Sequence, residues 1–123
     1  MSAKTVFIVD DSEIVLDVAR AALESANFRV ETMGNWAELS EFLKREVPDL
    51  ILMDVRMPDA YGDTALMFFK ETHGIENTPI YLFSDLPLEE LEERSRECHA
   101  DGYISKSWGG ERLVEEVSSC IST

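Results

Sequence analysis

Apolar positions along the chain switch repeatedly between two periods. Val6-Phe7-Ile8-Val9 is a short continuous apolar run, the pattern of a strand buried on both faces. Ile14, Val15, Val18, Ala19, Ala22, Leu23 and Ala26 then recur at helical spacing, which predicts one inward face. Phe28 to Thr32 alternates apolar and polar residues like an outer strand. Asn35, with Glu38 three residues on, has capping-box spacing ahead of a second helix whose core side carries Leu39, Phe42 and Leu43. Pro48 is placed to stop that helix.

The alternation continues to the end of the chain. Leu50-Ile51-Leu52-Met53 is a third strand, and Thr64 to Thr72 a helical stretch rich in Met67, Phe68 and Phe69. Ile80-Tyr81-Leu82-Phe83 is a fourth strand introduced by Pro79. Pro87 suits the first turn of a helix reaching about Cys98. Gly102-Tyr103-Ile104-Ser105 is a fifth strand, and Leu113, Val114, Val117, Cys120 and Ile121 mark a last helix. Five strands alternating with five helices predict an α/β domain with a parallel sheet covered on both faces and right-handed crossovers. No linker or internal repeat divides it, so residues 1–123 read as one domain.

Composition narrows the classes. Hydrophobic residues make up 45% of the chain, too many for a disordered one, and no apolar run is long enough to span a bilayer. The first residues lack the parts of a signal peptide, so a cytoplasmic protein is expected. Cys98 and Cys120 have no ligand spacing and read as reduced packing residues. A net charge of -14 argues against direct nucleic-acid binding and favours a divalent cation or a basic protein surface. The acidic run Glu89, Glu90, Glu92, Glu93 and Glu97 reads either as a solvated face or as a docking surface for a basic partner. His73 and His99 have no ligand-spaced company and read as exposed or capping residues.

In open α/β sheets, sites form beyond the carboxyl ends of the strands. The residues just after each strand are therefore the candidates: Asp10 and Asp11, Asp54, Ser84 and Lys106. Three carboxylates on one edge repel one another unless a cation compensates them. Oxygen ligands with an open edge suit Mg²⁺, which keeps waters and often holds a phosphate oxygen. Asp10 and Asp11 taken alone also read as helix caps, and Lys106 as a simple ion-pair partner of Asp54. A carboxylate can act as a nucleophile toward phosphorus, and phosphoryl transfer needs mainly alignment and charge compensation. Lys106 and the Ser84 hydroxyl supply that.

In this order and on these elements, the residues resemble the receiver (CheY-like) family of response regulators. The likeness rests on Asp10-Asp11, Asp54, Pro58 and Gly62, then Ser84 where the family has Thr or Ser, Tyr103 where it has an aromatic, and Lys106. It implies a three-layer, flavodoxin-like, doubly wound five-stranded parallel sheet of order 2-1-3-4-5. It also implies a single receiver domain of two-component signalling that is no enzyme beyond its own phosphoryl uptake and loss. Asp54 would be the phosphoacceptor, served by a histidine kinase or histidine phosphotransfer protein. Mg²⁺ would be held by Asp10, Asp11, Asp54 and the backbone carbonyl of Arg56. Ser84 and Lys106 would bind the phosphoryl group. Ser84 and Tyr103 would switch the surface of helix four, strand five and helix five toward a downstream protein or effector domain. No membrane association and a monomer or weak phosphorylation-linked dimer are expected.

Two departures stand out. Asp85 follows Ser84 where the family usually has a small residue; it either crowds the phosphoryl site or points outward and caps helix four. Ser107 follows Lys106 where the family usually has Pro in a cis bond. A cis bond to Ser costs about 2.5–4 kcal/mol, so the sequence predicts a trans bond with a shifted loop, or a strained cis bond. These departures sustain an alternative, a receiver-like protein-binding module that works without phosphate. An aspartyl phosphatase is disfavoured, because neither Asp10-Asp11-Ser12 nor Asp54-Val55-Arg56 gives Asp-x-Asp. A flavin-binding domain is disfavoured by the acidic loop after strand one.

Overall fold

A computed structural model describes residues 3–55 and 65–121. Its strands are β1 (Thr5–Val9), β2 (Arg29–Met33), β3 (Leu50–Met53), β4 (Ile80–Ser84) and β5 (Gly102–Ser105). They form one parallel sheet of order β2-β1-β3-β4-β5. The helices are α1 (Glu13–Ser25), α2 (Trp36–Leu43), α3 (Ala65–His73), α4 (Leu88–Glu97) and α5 (Gly109–Ile121), and a 3-10 turn, η1, covers Lys106–Trp108. The expected topology is therefore present, and η1 is an addition to it.

Alternate strand residues face opposite layers. Val6, Ile8, Leu50, Leu52, Phe83 and Ile104 pack with Ala19 and Leu23 of α1 and Leu113, Val117 and Ile121 of α5. Phe7, Val9, Ile51, Met53, Ile80 and Leu82 pack with Leu39 and Leu43 of α2, Leu66 of α3 and Leu91 of α4. Both faces of β1, β3 and β4 are thus covered, which is why these strands read as unbroken apolar runs.

Three sequence expectations need correction. Ile14 and Val18 do not face the core: they are 77% and 63% exposed. Helix α1 carries two apolar rows, and the sheet takes the row of Ala19 and Leu23, with Val15 and Ala22 packed beside it. The i, i+4 pair of Ile14 and Val18 is left on the flank. Helix α2 ends at Leu43, well ahead of Pro48. Pro87 is the N-cap of α4, and the helix itself begins at Leu88.

Other local signals hold. Asn35 Oδ1 accepts the Glu38 N–H at 2.9 Å, and Glu38 Oε1 reaches back to the Gly34 N–H at 2.6 Å. His99 ends α4 in the left-handed region, with φ 60°, a common helix termination. His73 stacks on Phe69 and bridges α3 to α2, its ring nitrogens 3.0 Å from Phe69 O and 3.2 Å from Ser40 Oγ.

Candidate functional site

Parallel register brings the strand ends together. Val9 of β1 lies opposite Met53 of β3, so the next residues, Asp10 and Asp54, emerge side by side. Their backbones remain tied to the sheet: the Asp10 N–H donates to Met33 O and the Asp54 N–H to Val9 O, each at 3.0 Å. On the other side Ser84 pairs with Ser105, which places Lys106 one residue beyond. Asp10 is 1% and Asp54 3% exposed, while Ser84 is wholly buried. Asp11 is exposed.

The capping alternative for the acidic pair does not hold. Ser12 is the N-cap of α1, its Oγ accepting the Val15 N–H at 3.3 Å. Asp10 Oδ1 accepts the Ser12 N–H at 2.9 Å. One Asp10 oxygen therefore shapes the β1–α1 turn, and Oδ2 is left facing the pocket. Carboxylate oxygens of Asp10, Asp11 and Asp54 all lie within 4.8 Å of one another. Three such oxygens, two from buried side chains, suit a hard divalent cation with remaining waters. Asp10 Oδ2 is buried without an aligned hydrogen bond, so it has capacity for such an ion.

Lys106 enters from the other side of the pocket. Its Nζ is 2.6 Å from Asp10 Oδ2 and 3.7 Å from Asp54 Oδ1, so it pairs with both, and more closely with Asp10. The 2.6 Å contact is an ion pair without hydrogen-bond alignment. The ammonium also lies 5.7 Å from the centroid of the Phe83 ring. The Lys106–Ser107 bond is trans, since no cis bond occurs among the described residues. In place of a cis proline, η1 turns the chain. Ser105 Oγ accepts the Ser107 N–H at 3.2 Å and lies 2.7 Å from Ser107 Oγ. Gly109, with φ 85°, then admits the chain into α5 at a backbone angle that side chains disfavour.

The remaining sequence candidates flank this centre. Ser84 Oγ accepts the Leu86 N–H at 3.1 Å, which leaves its own proton to donate. Asp85 is exposed, and the N-cap of α4 belongs to Pro87, two residues on. Tyr103 is half-buried, its hydroxyl donating to Glu92 Oε2 of α4 at 3.0 Å. That hydrogen bond, with some burial and the Glu92 charge, holds the phenol above its ordinary value. Arg56, Pro58 and Gly62 lie outside the described residues.

Sequence reasoning missed Ser105 and Glu92. Ser105 carried only a weak signal, a serine two residues ahead of a turn N–H, a pattern too short and too common to read alone. Glu92 carried none, because only the approach of α4 to β5 selects it among five neighbouring glutamates.

The chain is 28% identical over 118 residues to the polar-differentiation response regulator DivK of Brucella anthropi, covering 96% of both chains. A response regulator from Thermotoga maritima superposes with a TM-score of 0.82 at 29% identity, covering 98% of this chain and 99% of that one. The receiver domain of the sensor histidine kinase PA1611 from Pseudomonas aeruginosa, which has a magnesium ion coordinated in its active-site cleft, shares the fold with a TM-score of 0.82 at 21% identity, over 99% and 100% of the two chains. Residues 6–118 match the response regulator receiver domain, and the chain therefore belongs to that family, the receiver domains of two-component signalling.

Proposed function

We propose that residues 1–123 act as one receiver unit that takes a phosphoryl group onto Asp54 from a phosphohistidine. The donor is a histidine kinase or a histidine phosphotransfer protein. The observation that carries this reading is the convergence of three carboxylates with Lys106 and a buried hydroxyl on one sheet edge. Asp10, Asp11, Asp54 and the Arg56 carbonyl would hold Mg²⁺. The ion supplies charge compensation and a point of attachment for a phosphoryl oxygen.

The chain's own residues do the rest. Asp54, buried and fixed by its backbone bond to Val9, presents a carboxylate oxygen to phosphorus as the phosphorus–nitrogen bond of the donor breaks. Lys106, within reach of both Asp10 and Asp54, compensates the equatorial oxygens. Ser84 donates its proton to one of them. When Ser84 turns inward, its bond to the Leu86 N–H is lost, and the β4–α4 connection is free to shift. Tyr103 then leaves Glu92, and the α4–β5–α5 surface changes for a downstream protein. This is a population shift, driven by contacts that exist only with the phosphoryl group present.

The donor's approach also has a face. Ile14 and Val18 border a cleft of about 170 Å³ between α1 and α5, whose lining includes Lys106. In a chain of charge -14 this exposed apolar pair beside the pocket suits a protein surface. No helix among the described residues is long and apolar enough to cross a membrane, and we read the protein as cytoplasmic. It turns over nothing but its own phosphoryl group.

Beryllofluoride, a mimic of the phosphoryl group, tests the switch. With Mg²⁺ it is expected to shift the amide resonances of Leu86, Tyr103 and α4, and to do nothing in Asp54→Asn. Folded, Mg²⁺-bound protein whose resonances ignore saturating beryllofluoride would instead favour the phosphate-independent binding module.

A further inference from the structure

Strand β2 pairs with β1 alone and forms one outer edge of the sheet. Its Arg29 N–H donates to Lys4 O, and its Met33 O accepts the Asp10 N–H. The odd-numbered residues therefore bond to β1, and Val30 and Thr32 turn their N–H and C=O groups outward. Such a row is a template for another strand. The acceptor at its centre is capped by a side chain of α1. Arg20 donates from Nη2 to Val30 O at 3.3 Å. The guanidinium is half-buried, and its Nε is buried without a hydrogen bond, 3.7 Å from Glu24 Oε2 one turn on. Capping Val30 thus leaves one donor of Arg20 unsatisfied, while Glu24 offers a second seat nearby.

The residues of β2 select what fits this edge. Val30 enters the core against α1, and Arg29 and Glu31 lie on the α2 side of the strand with Met33. There Arg29 pairs with Glu31 at 3.0 Å and also with Glu46. An antiparallel second β2 centred on Val30 sets Arg29 of each copy opposite Glu31 of the other. The two Val30 residues then exchange N–H and C=O bonds, and the Arg–Glu pairs stand beside them as the closer, non-hydrogen-bonded pairs. Opposite charges at such positions stabilise pairing, and like charges oppose it. A shift by two residues either way puts Glu31 against Glu31 or Arg29 against Arg29, so the charges select one register.

We propose that the β2 edge is a self-recognition site for a second copy of this chain, and that Arg20 is its guard. While the guanidinium caps Val30 O, the central bonds of the pair cannot form. When it moves onto Glu24, two edges join as antiparallel strands. β2 and β5 are opposite edges of the sheet, so the pair leaves the α4–β5–α5 surface free.

The test is sedimentation equilibrium on the full chain and its variants at physiological salt, with folding checked by circular dichroism. Arg20→Ala removes the guard. Two guards are lost per pair, each worth about tenfold, so this variant is expected to associate about a hundredfold more tightly than the unaltered protein. Arg96→Ala, which removes an arginine from a like i, i+4 pair with Glu92 on α4, is expected to match the unaltered protein. Adding Glu31→Arg to Arg20→Ala sets like charges opposite one another. It is expected to abolish the pair, although it lowers the net negative charge. Adding Arg29→Glu as well reverses each Arg–Glu pair and is expected to restore association. Hydrogen exchange at the Val30 amide of Arg20→Ala is expected to slow as concentration rises. Equal association of Arg20→Ala and the unaltered protein overturns the guard. Association of Arg20→Ala that ignores Glu31→Arg, or that leaves the Val30 amide unprotected, overturns the β2 pairing.

Discussion

At the scale of single residues, the site is a set of side chains whose roles are divided by what else holds them. Asp10 spends one oxygen on the Ser12 N–H and offers the other to the pocket. Ser84 is held as an acceptor and keeps its proton for use. Tyr103 is tied to α4 by a single bond to Glu92, and the carboxylate keeps the phenol protonated to higher pH than usual. Glu92→Gln keeps an acceptor and removes the charge, so Tyr103 should ionise at lower pH, nearer the ordinary tyrosine value. Ultraviolet difference titration reads this, with Tyr103→Phe assigning the transition. Tyr81, pushed up to about 12 mainly by burial, should titrate apart from it. An unchanged Tyr103 midpoint would show that Glu92 does not hold the hydroxyl. Asp10, Asp11, Asp54, Ser84 and Lys106 were legible in the sequence because each ends or follows a recognisable strand. Which carboxylate Lys106 favours was not, since it depends on the turn that follows it.

At the scale of elements, apolar pattern gave the strands and local chemistry gave the helix starts. The central strands were unambiguous, because burial on both faces leaves no polar position in them. Asn35 and Glu38 close the start of α2 onto the chain entering it. Asn35→Ala should cost about 1 kcal/mol, read as a lower denaturant midpoint at unchanged slope. A loss within error would mean that the packing of Trp36 and Leu39 alone sets the helix start. Two elements escaped the pattern. The inward face of α1 was drawn too wide, because periodicity cannot say which of two adjacent apolar rows the sheet will take. The 3-10 turn at Lys106–Trp108 was foreseen only as a shifted loop. Its clasp is a hydroxyl pair two residues apart, a signal too short and too common to read alone.

At the scale of the whole molecule, a packed sheet carries a site at its rim. Residues inside β1, β3 and β4 belong to the two cores, and the residues just past their ends belong to the pocket. That division lets the pocket assemble three carboxylates whose mutual repulsion the cores and Lys106 must offset. The charge of -14 is consistent with a protein that meets cations and protein surfaces rather than nucleic acid. Whether Asp54 accepts a phosphoryl group in this pocket can be read directly by intact mass spectrometry. The protein is incubated with Mg²⁺ and acetyl phosphate beside Asp54→Asn. The expected result is an adduct of one phosphoryl group that is absent from the variant and absent without Mg²⁺. An adduct of the same size on Asp54→Asn, or one formed equally well without Mg²⁺, would contradict it.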